Sequence, residues 1–185
     1  MFLYHYFDNE RKPFLSLSDL SDQEAIMIHK KLEKDNNIFS KRNSDGKYME
    51  LRRFVENKLY SKFIEKEGKP KRKIPYYMVL GESNFYKRLN NEGYNDVIKI
   101  PLEKFDKNTV SFTYGDSFIT FISPSYGGTE WYLNNVYMYA EIQKIIKKYG
   151  MPVWSEDTPF HQPSYIEAQI LEEEIIKEYT IKRIE

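Results

Sequence analysis

The sequence predicts an α+β fold, with a mixed, mostly antiparallel sheet and three to four helices in a single domain that spans residues 1–185. Three observations favour this class. Strand-like segments lie near both ends of the chain and in its middle, helical patterns cluster mainly between the first two of these strands, and no repeating strand–helix rhythm indicates a doubly wound sheet. A chain of this length buries about 70% of its unfolded surface without disulfides or metal.

The strongest strand signal lies in the middle of the chain. Thr109 to Tyr114 and Ser117 to Ile122 are two six-residue runs rich in β-branched and aromatic residues. They are separated by Gly115 and Asp116, and a Gly-Asp pair between such runs is typical of a two-residue hairpin turn. We therefore predict a central hairpin over residues 109–122.

The first third of the chain predicts one strand and two helices. Phe2 to Phe7 is rich in aromatic residues, a composition that favours a strand. Ser21 and Glu24 have the spacing of a capping box, which predicts a helix that ends near Asp35. A second helix is predicted over residues 48–67 by apolar residues at four-residue spacing.

The remaining elements are predicted from local composition and from Gly and Pro residues that mark the ends of helices and strands. The predictions are a strand over 73–80, a short helix over 84–90, a strand over 97–100, a bent strand over 131–137, a helix over 139–149, and strands over 165–171 and 179–184, with a turn or single helical turn at 172–177.

Composition excludes several classes of function. The chain has no cysteine, so a disulfide framework, a thiolate zinc site and a cysteine nucleophile are all excluded. Its start has no secretory signal, and no run approaches about 18 apolar residues, which predicts a soluble cytoplasmic protein with no membrane partner. The 28 basic and 28 acidic residues balance, which argues against a dedicated nucleic-acid binder. RNA binding through the basic run at 69–73 remains an alternative.

Few residue patterns in the sequence indicate a catalytic or metal-binding site. His5, His29 and His161 are scattered without the spacing of a metal site, so we expect no metal. No Gly-x-Ser-x-Gly sequence indicates a serine hydrolase. The remaining candidates are His5, Tyr86 and Glu167. Each also has a structural interpretation, since His5 can hydrogen-bond in the core, Tyr86 can pack, and an alternating strand can direct Glu167 to solvent.

Two resemblances bear on these candidates. The whole chain resembles a family of small, uncharacterised bacterial proteins through YHYFD, LSDLS, YMV, SFTYGD and YIE, and that family brings no known activity. The arrangement is also similar to the ADP-ribosyltransferase-like fold, with Leu3 to Tyr6 as the first motif, Met78 to Tyr86 as the second, and Glu167 as the third.

The second resemblance implies a function in NAD or ADP-ribose binding or in ADP-ribosyl transfer. It implies that His5 hydrogen-bonds the nicotinamide ribose, that Tyr86 stacks on the nicotinamide, and that Glu167 stabilises the cationic ribose. The sequence departs from the arginine-modifying branch, because Gln169 follows Glu167 instead of preceding it. No Ser-Thr-Ser triplet follows a strand.

A different class of function is also consistent with the sequence. Tyr126, Trp131 and Tyr132 lie in or beside a glycine-containing loop, and Trp and Tyr are enriched in protein interfaces. This alternative is a non-catalytic interaction domain whose aromatic loop contacts a protein partner.

Overall fold

The computed structural model describes residues 1–21, 23–28 and 47–181. Its strands form one five-stranded sheet in the order β3-β1-β2-β5-β4, and each neighbouring pair is antiparallel. The α+β class is therefore confirmed. The elements are β1 (Phe2–Phe7), α1 (Tyr48–Glu65), β2 (Tyr76–Leu80), α2 (Asn84–Arg88), β3 (Asp96–Pro101), β4 (Val110–Thr113), α3 (Ser117–Ile122), α4 (Tyr139–Tyr149), β5 (Glu167–Ile170) and α5 (Glu174–Ile181).

One face of the sheet carries the main hydrophobic core. Because side chains alternate along a strand, aligned residues in the ladder place their side chains on one face. His5 is flanked by Ile98 in this way, and Met78 is flanked by Ala168. Ile142 of α4 and Ile176 of α5 pack into the same core. Its fully buried members include Leu3, Ile100, Val110, Phe112, Ile166, Ala168 and Ile170.

The opposite face of the sheet is polar yet buried. Glu167 and Gln169 on β5 lie beside Thr113 and Ser111 on β4, and all four side chains are buried. Helices α1 and α3 pack on this side through a second apolar cluster that includes Leu59 of α1, and these helices shield the polar groups from solvent. Buried polar groups require partners, and here they bond to one another. This face supplies the candidate site.

The predicted central hairpin is wrong in its second half. β4 ends at Thr113, and Asp116 then caps helix α3, its Oδ1 accepting from the backbone N–H of Phe118 at 2.7 Å and of Ile119 at 3.4 Å. The strand-like composition of this run is overridden because its buried residues recur at helical spacing. β4 pairs instead with β5.

Helix α5 replaces the predicted last strand over residues 179–181, and residues 182–184 of that strand lie outside the described residues. It spans Glu174–Ile181, where Ile176 is buried and the hydroxyl of Thr180 donates to its backbone carbonyl. The described residues thus contain more helices than the three to four predicted. Residues 131–137 are also not a strand, because they form turns and one isolated bridge between Phe112 and Tyr137.

The early helices were predicted correctly where they are described. Ser21 and Glu24 form the capping box, with the Ser21 hydroxyl donating to Glu24 Oε2 at 2.6 Å. Residues 23–28 are helical, while the rest of that predicted helix, including His29, lies outside the described residues. Helix α1 matches its prediction within two residues. Within the described ranges, no helix has the length and apolar character needed to cross a membrane.

Candidate functional site

The candidate site begins where two central strands separate. β1 pairs with β3 at six positions, whereas it pairs with β2 at only Leu3 and Tyr4. Beyond Tyr4, the side chain of His5 connects β1 to β2. Its Nδ1–H donates to the carbonyl oxygen of Tyr77 at 3.1 Å, and its Nε2 accepts from the backbone N–H of Phe14 at 2.9 Å. Both ring nitrogens are therefore used within the protein.

His5 holds the segment that follows β1 against the sheet. Its ring stacks on Phe14 with 4.0 Å between centroids, and Phe14 adopts a left-handed backbone with φ of 59°, which is uncommon for a bulky residue. Burial lowers the pKa of His5 to about 4, partly offset by the bond to Tyr77, so the ring is neutral at physiological pH. His5 thus shapes the site, and the ribose hydrogen bond implied by the resemblance would require its present bonds to break.

A cleft of about 1220 Å³ opens beside this gap. His5, Tyr86 and Glu167, which are separated by 81 residues or more along the chain, all line it. All three residues that the resemblance selected thus line one large cleft, although His5 and Glu167 lie on opposite faces of the sheet. Other lining residues are Tyr6, Arg52, Tyr77, Phe85, Arg88, Asp116, Ser117, Trp154 and Tyr165.

Glu167 is a buried carboxyl group on the polar face of the sheet. Its side chain is 7% exposed, so it does not point to solvent. Gln169 Nε2 donates to its Oε1 at 3.0 Å, and the hydroxyl and backbone N–H of Ser117 also donate to this group. Burial, followed by repulsion from the Asp116 carboxylate, raises the pKa of Glu167 to about 8 despite these donors. The protonated form of the Glu167 carboxyl group is therefore favoured near neutral pH.

Asp116 is the second carboxyl group of the cleft. The hydroxyl of Tyr165 donates to its Oδ2 at 2.9 Å, and the hydroxyl of Tyr86 in turn hydrogen-bonds to Tyr165. Burial raises the pKa of both tyrosines well above the usual value, so both are neutral. The Tyr6 ring stacks on Tyr86 at 5.1 Å and 5°, and it occupies one face of the ring that the resemblance assigns to nicotinamide.

Arg52 of α1 forms a buried polar cluster at the side of the cleft. Its Nε donates to Ser18 Oγ at 2.8 Å and to Glu56 Oε1 at 3.1 Å. Its other nitrogens donate to the Tyr48 hydroxyl at 3.0 Å and to Ser16 Oγ at 3.2 Å. Because the two serines lie after β1, Arg52 fastens that segment to α1. His5 and Arg52 together hold one wall of the cleft.

The aromatic loop predicted as an interaction surface is only partly exposed. Tyr126 is 85% exposed and Trp131 is 45% exposed, but Tyr132 is buried at 7%. The Trp131 ring stacks on Tyr149 at 4.2 Å and contacts Tyr114. Tyr132 is therefore part of the core and Trp131 packs within the fold, and the role of this loop in binding a partner stays a prediction.

Two of the four basic side chains in the run at residues 69–73 have acidic partners. Arg72 donates to both carboxylate oxygens of Asp19 at 2.7 and 2.9 Å, and its guanidinium lies 3.7 Å from the Tyr76 ring centroid. Lys71 lies 3.3 Å from Glu172. These acidic partners reduce the positive charge that RNA binding would require.

Sequence reasoning missed several residues of the site, among them Arg52, Asp116, Ser117 and Tyr165. Asp116 was assigned to a hairpin turn, although Asp is also a preferred helix N-cap and an amphipathic helix pattern follows it. Within the described ranges, no group of three His, Asp or Glu side chains is placed to hold a metal ion.

Comparisons with protein-family models, with curated proteins and with solved structures found no match to this chain. The functional argument therefore depends on the geometry of the cleft.

Proposed function

We propose that the cleft binds NAD or ADP-ribose and that Glu167 acts at the ribosyl bond of the bound nucleotide, as in an ADP-ribosyl-transferring or NAD-cleaving enzyme. One observation supports this most. His5, Tyr86 and Glu167 come from three distant segments and line one cleft, with Glu167 buried beside a second carboxyl group.

The chemistry of the buried carboxyl groups fits ribosyl transfer. When nicotinamide leaves, positive charge develops on the ribose, and preorganised negative charge stabilises that transition state. Asp116 and Glu167 supply such charge in a site shielded from water. A bound nicotinamide cation favours the ionised form of Glu167, so it lowers the pKa of this group from about 8. The substrate itself thereby produces the carboxylate that acts on it.

The other lining residues suit a nucleotide. Phe85, Tyr86 and Trp154 offer aromatic surface for a flat base, and Arg88 lies 5.0 Å from the Trp154 ring centroid. Arg88 is exposed, and a guanidinium suits paired hydrogen bonds to a phosphate. We assign Arg88 to the diphosphate of the ligand.

Ligand binding is tested by thermal unfolding with NAD, ADP-ribose, AMP and nicotinamide in separate samples. A ligand at about 100 times its Kd adds about 2.7 kcal/mol to the free energy of unfolding, which corresponds to a Tm increase of roughly 5 to 10 °C for a chain of this size. We expect this increase with NAD and with ADP-ribose. Arg88→Gln should reduce both increases.

The matched control is Lys58→Gln, on the exposed part of α1 and outside the cleft lining. It should retain the full Tm increase. If a folded sample shows no change in Tm with saturating NAD or ADP-ribose, the proposed function is wrong.

A further inference from the structure

Asp116 and Glu167 are two carboxyl groups in one cleft with different surroundings. Asp116 is only partly buried, and its two oxygens accept from two backbone N–H groups and from the Tyr165 hydroxyl. Such donors favour a negatively charged carboxylate. Glu167 is buried on the sheet and faces the charge of Asp116. When environments separate two carboxyl groups in this way, one can serve as a base and the other as an acid.

We propose that Asp116 and Glu167 form an acid–base pair that hydrolyses N-ribosides with an uncharged leaving base, of which purine nucleotides such as AMP are the representative class. Glu167 is the proton donor to the departing base, and Asp116 is the base that activates water. This inference rests on the proposed function, because it places the ribose of the substrate in the same part of the cleft. It extends the substrate beyond NAD and assigns a role to Asp116.

The step balances without any redox partner. The bond between the ribose C1′ and the base nitrogen breaks, and its electron pair goes to the base. The Glu167 carboxyl group transfers its proton to a nitrogen of that base. A water oxygen bonds to C1′ and loses one proton to Asp116, which then returns a proton to Glu167 through solvent. The products from AMP are adenine and ribose 5-phosphate.

The chemistry of the leaving group determines whether the protonated or the ionised form of Glu167 promotes cleavage. Nicotinamide departs from NAD as a neutral molecule and needs no proton, whereas adenine would depart as an anion unless it is protonated. An acid is therefore required for AMP and a carboxylate is required for NAD. The charged and titratable groups that face Glu167 are Asp116, Tyr86, Tyr165 and Tyr77, and the three tyrosines stay neutral across the working pH range.

The two substrates should thus have opposite pH dependences. The pKa of Glu167 is raised to about 8, so kcat/KM for adenine release from AMP should fall about tenfold per pH unit above this value. For nicotinamide release from NAD, kcat/KM should rise with pH and level off above the same value. Both rates are measured by chromatography of the released base between about pH 5.5 and 9.5, with the whole 185-residue chain.

Asp116→Asn tests the base directly. Asn is also a favourable N-cap, so α3 should remain folded, which circular dichroism checks. Adenine release should fall at least about 100-fold at every pH, while Glu103→Gln, which changes an exposed carboxylate outside the cleft lining, should retain it.

The outcomes separate this inference from the proposed function. Release of nicotinamide from NAD with no adenine from AMP would overturn the inference and leave the proposed function standing. Adenine release that rises with pH, or that survives in Asp116→Asn, would also overturn the inference. A protein that neither binds nor cleaves NAD or AMP would overturn both.

Discussion

Glu167→Gln is expected to lower kcat for nicotinamide release from NAD by roughly 100- to 1000-fold, the usual cost of removing one preorganised group that stabilises transition-state charge. Gln has the shape of a protonated glutamic acid, and its carbonyl oxygen can still accept from Gln169 or Ser117. The Kd for NAD, measured by calorimetry, should therefore change little. A loss of kcat with unchanged Kd identifies an interaction made in the transition state.

The control for this variant is Glu103→Gln, which changes an exposed carboxylate outside the cleft lining. It should turn over NAD at the wild-type rate. A Glu167→Gln protein with wild-type kcat would show that the buried carboxyl group has only a structural role. Loss of NAD binding together with a lowered Tm would point to a folding defect instead, and the role assigned to Glu167 would then be wrong.

Arg52→Met is expected to lower the free energy of unfolding by about 3 to 5 kcal/mol, because it leaves the charge of Glu56 buried without its cationic partner. Glu56 is 5% exposed, and its remaining partners are the hydroxyls of Ser18 at 2.8 Å and Tyr77 at 3.4 Å. The change also removes the bond to Ser16 that fastens one wall of the cleft. Urea unfolding followed by circular dichroism measures the difference.

A double variant serves as the control for that measurement. Arg52→Met combined with Glu56→Leu removes both charges, and apolar replacements of a buried ion pair are often neutral in stability. The double variant should therefore recover most of the lost stability. If Arg52→Met alone costs less than about 1 kcal/mol, the cluster behaves as a solvent-screened surface pair and does not hold the cleft wall.

The fold could be predicted where local chemistry and tertiary packing agree. The strand at Phe2–Phe7 and the helices α1 and α4 have clear patterns and strong end signals, and the structure contains all three. The run Ser117–Ile122 could not be assigned from composition, because β-branched and aromatic residues favour strands while the cap at Asp116 and the burial pattern favour a helix. Packing of this run on the polar face of the sheet favours the helix over the strand. This packing cannot be deduced from a single sequence.

The candidate site could be predicted only in part, for a similar reason. Motif resemblance selected His5, Tyr86 and Glu167, and the structure places all three around one cleft. It could not predict that both nitrogens of His5 are occupied, since the partners at Tyr77 and Phe14 meet it only after the strands separate. Asp116 and Arg52 were missed because their partners outside their own helices lie 34 to 49 residues away in the sequence.

The measurement that tests the central claim most directly is a crystal structure of the protein with ADP-ribose. We expect the ribose that bears the reactive carbon to lie in the cleft within hydrogen-bonding distance of Glu167 or Asp116, with Arg88 at the diphosphate. Electron density for ADP-ribose on another surface, or an empty cleft at a saturating concentration of the ligand, would contradict the account.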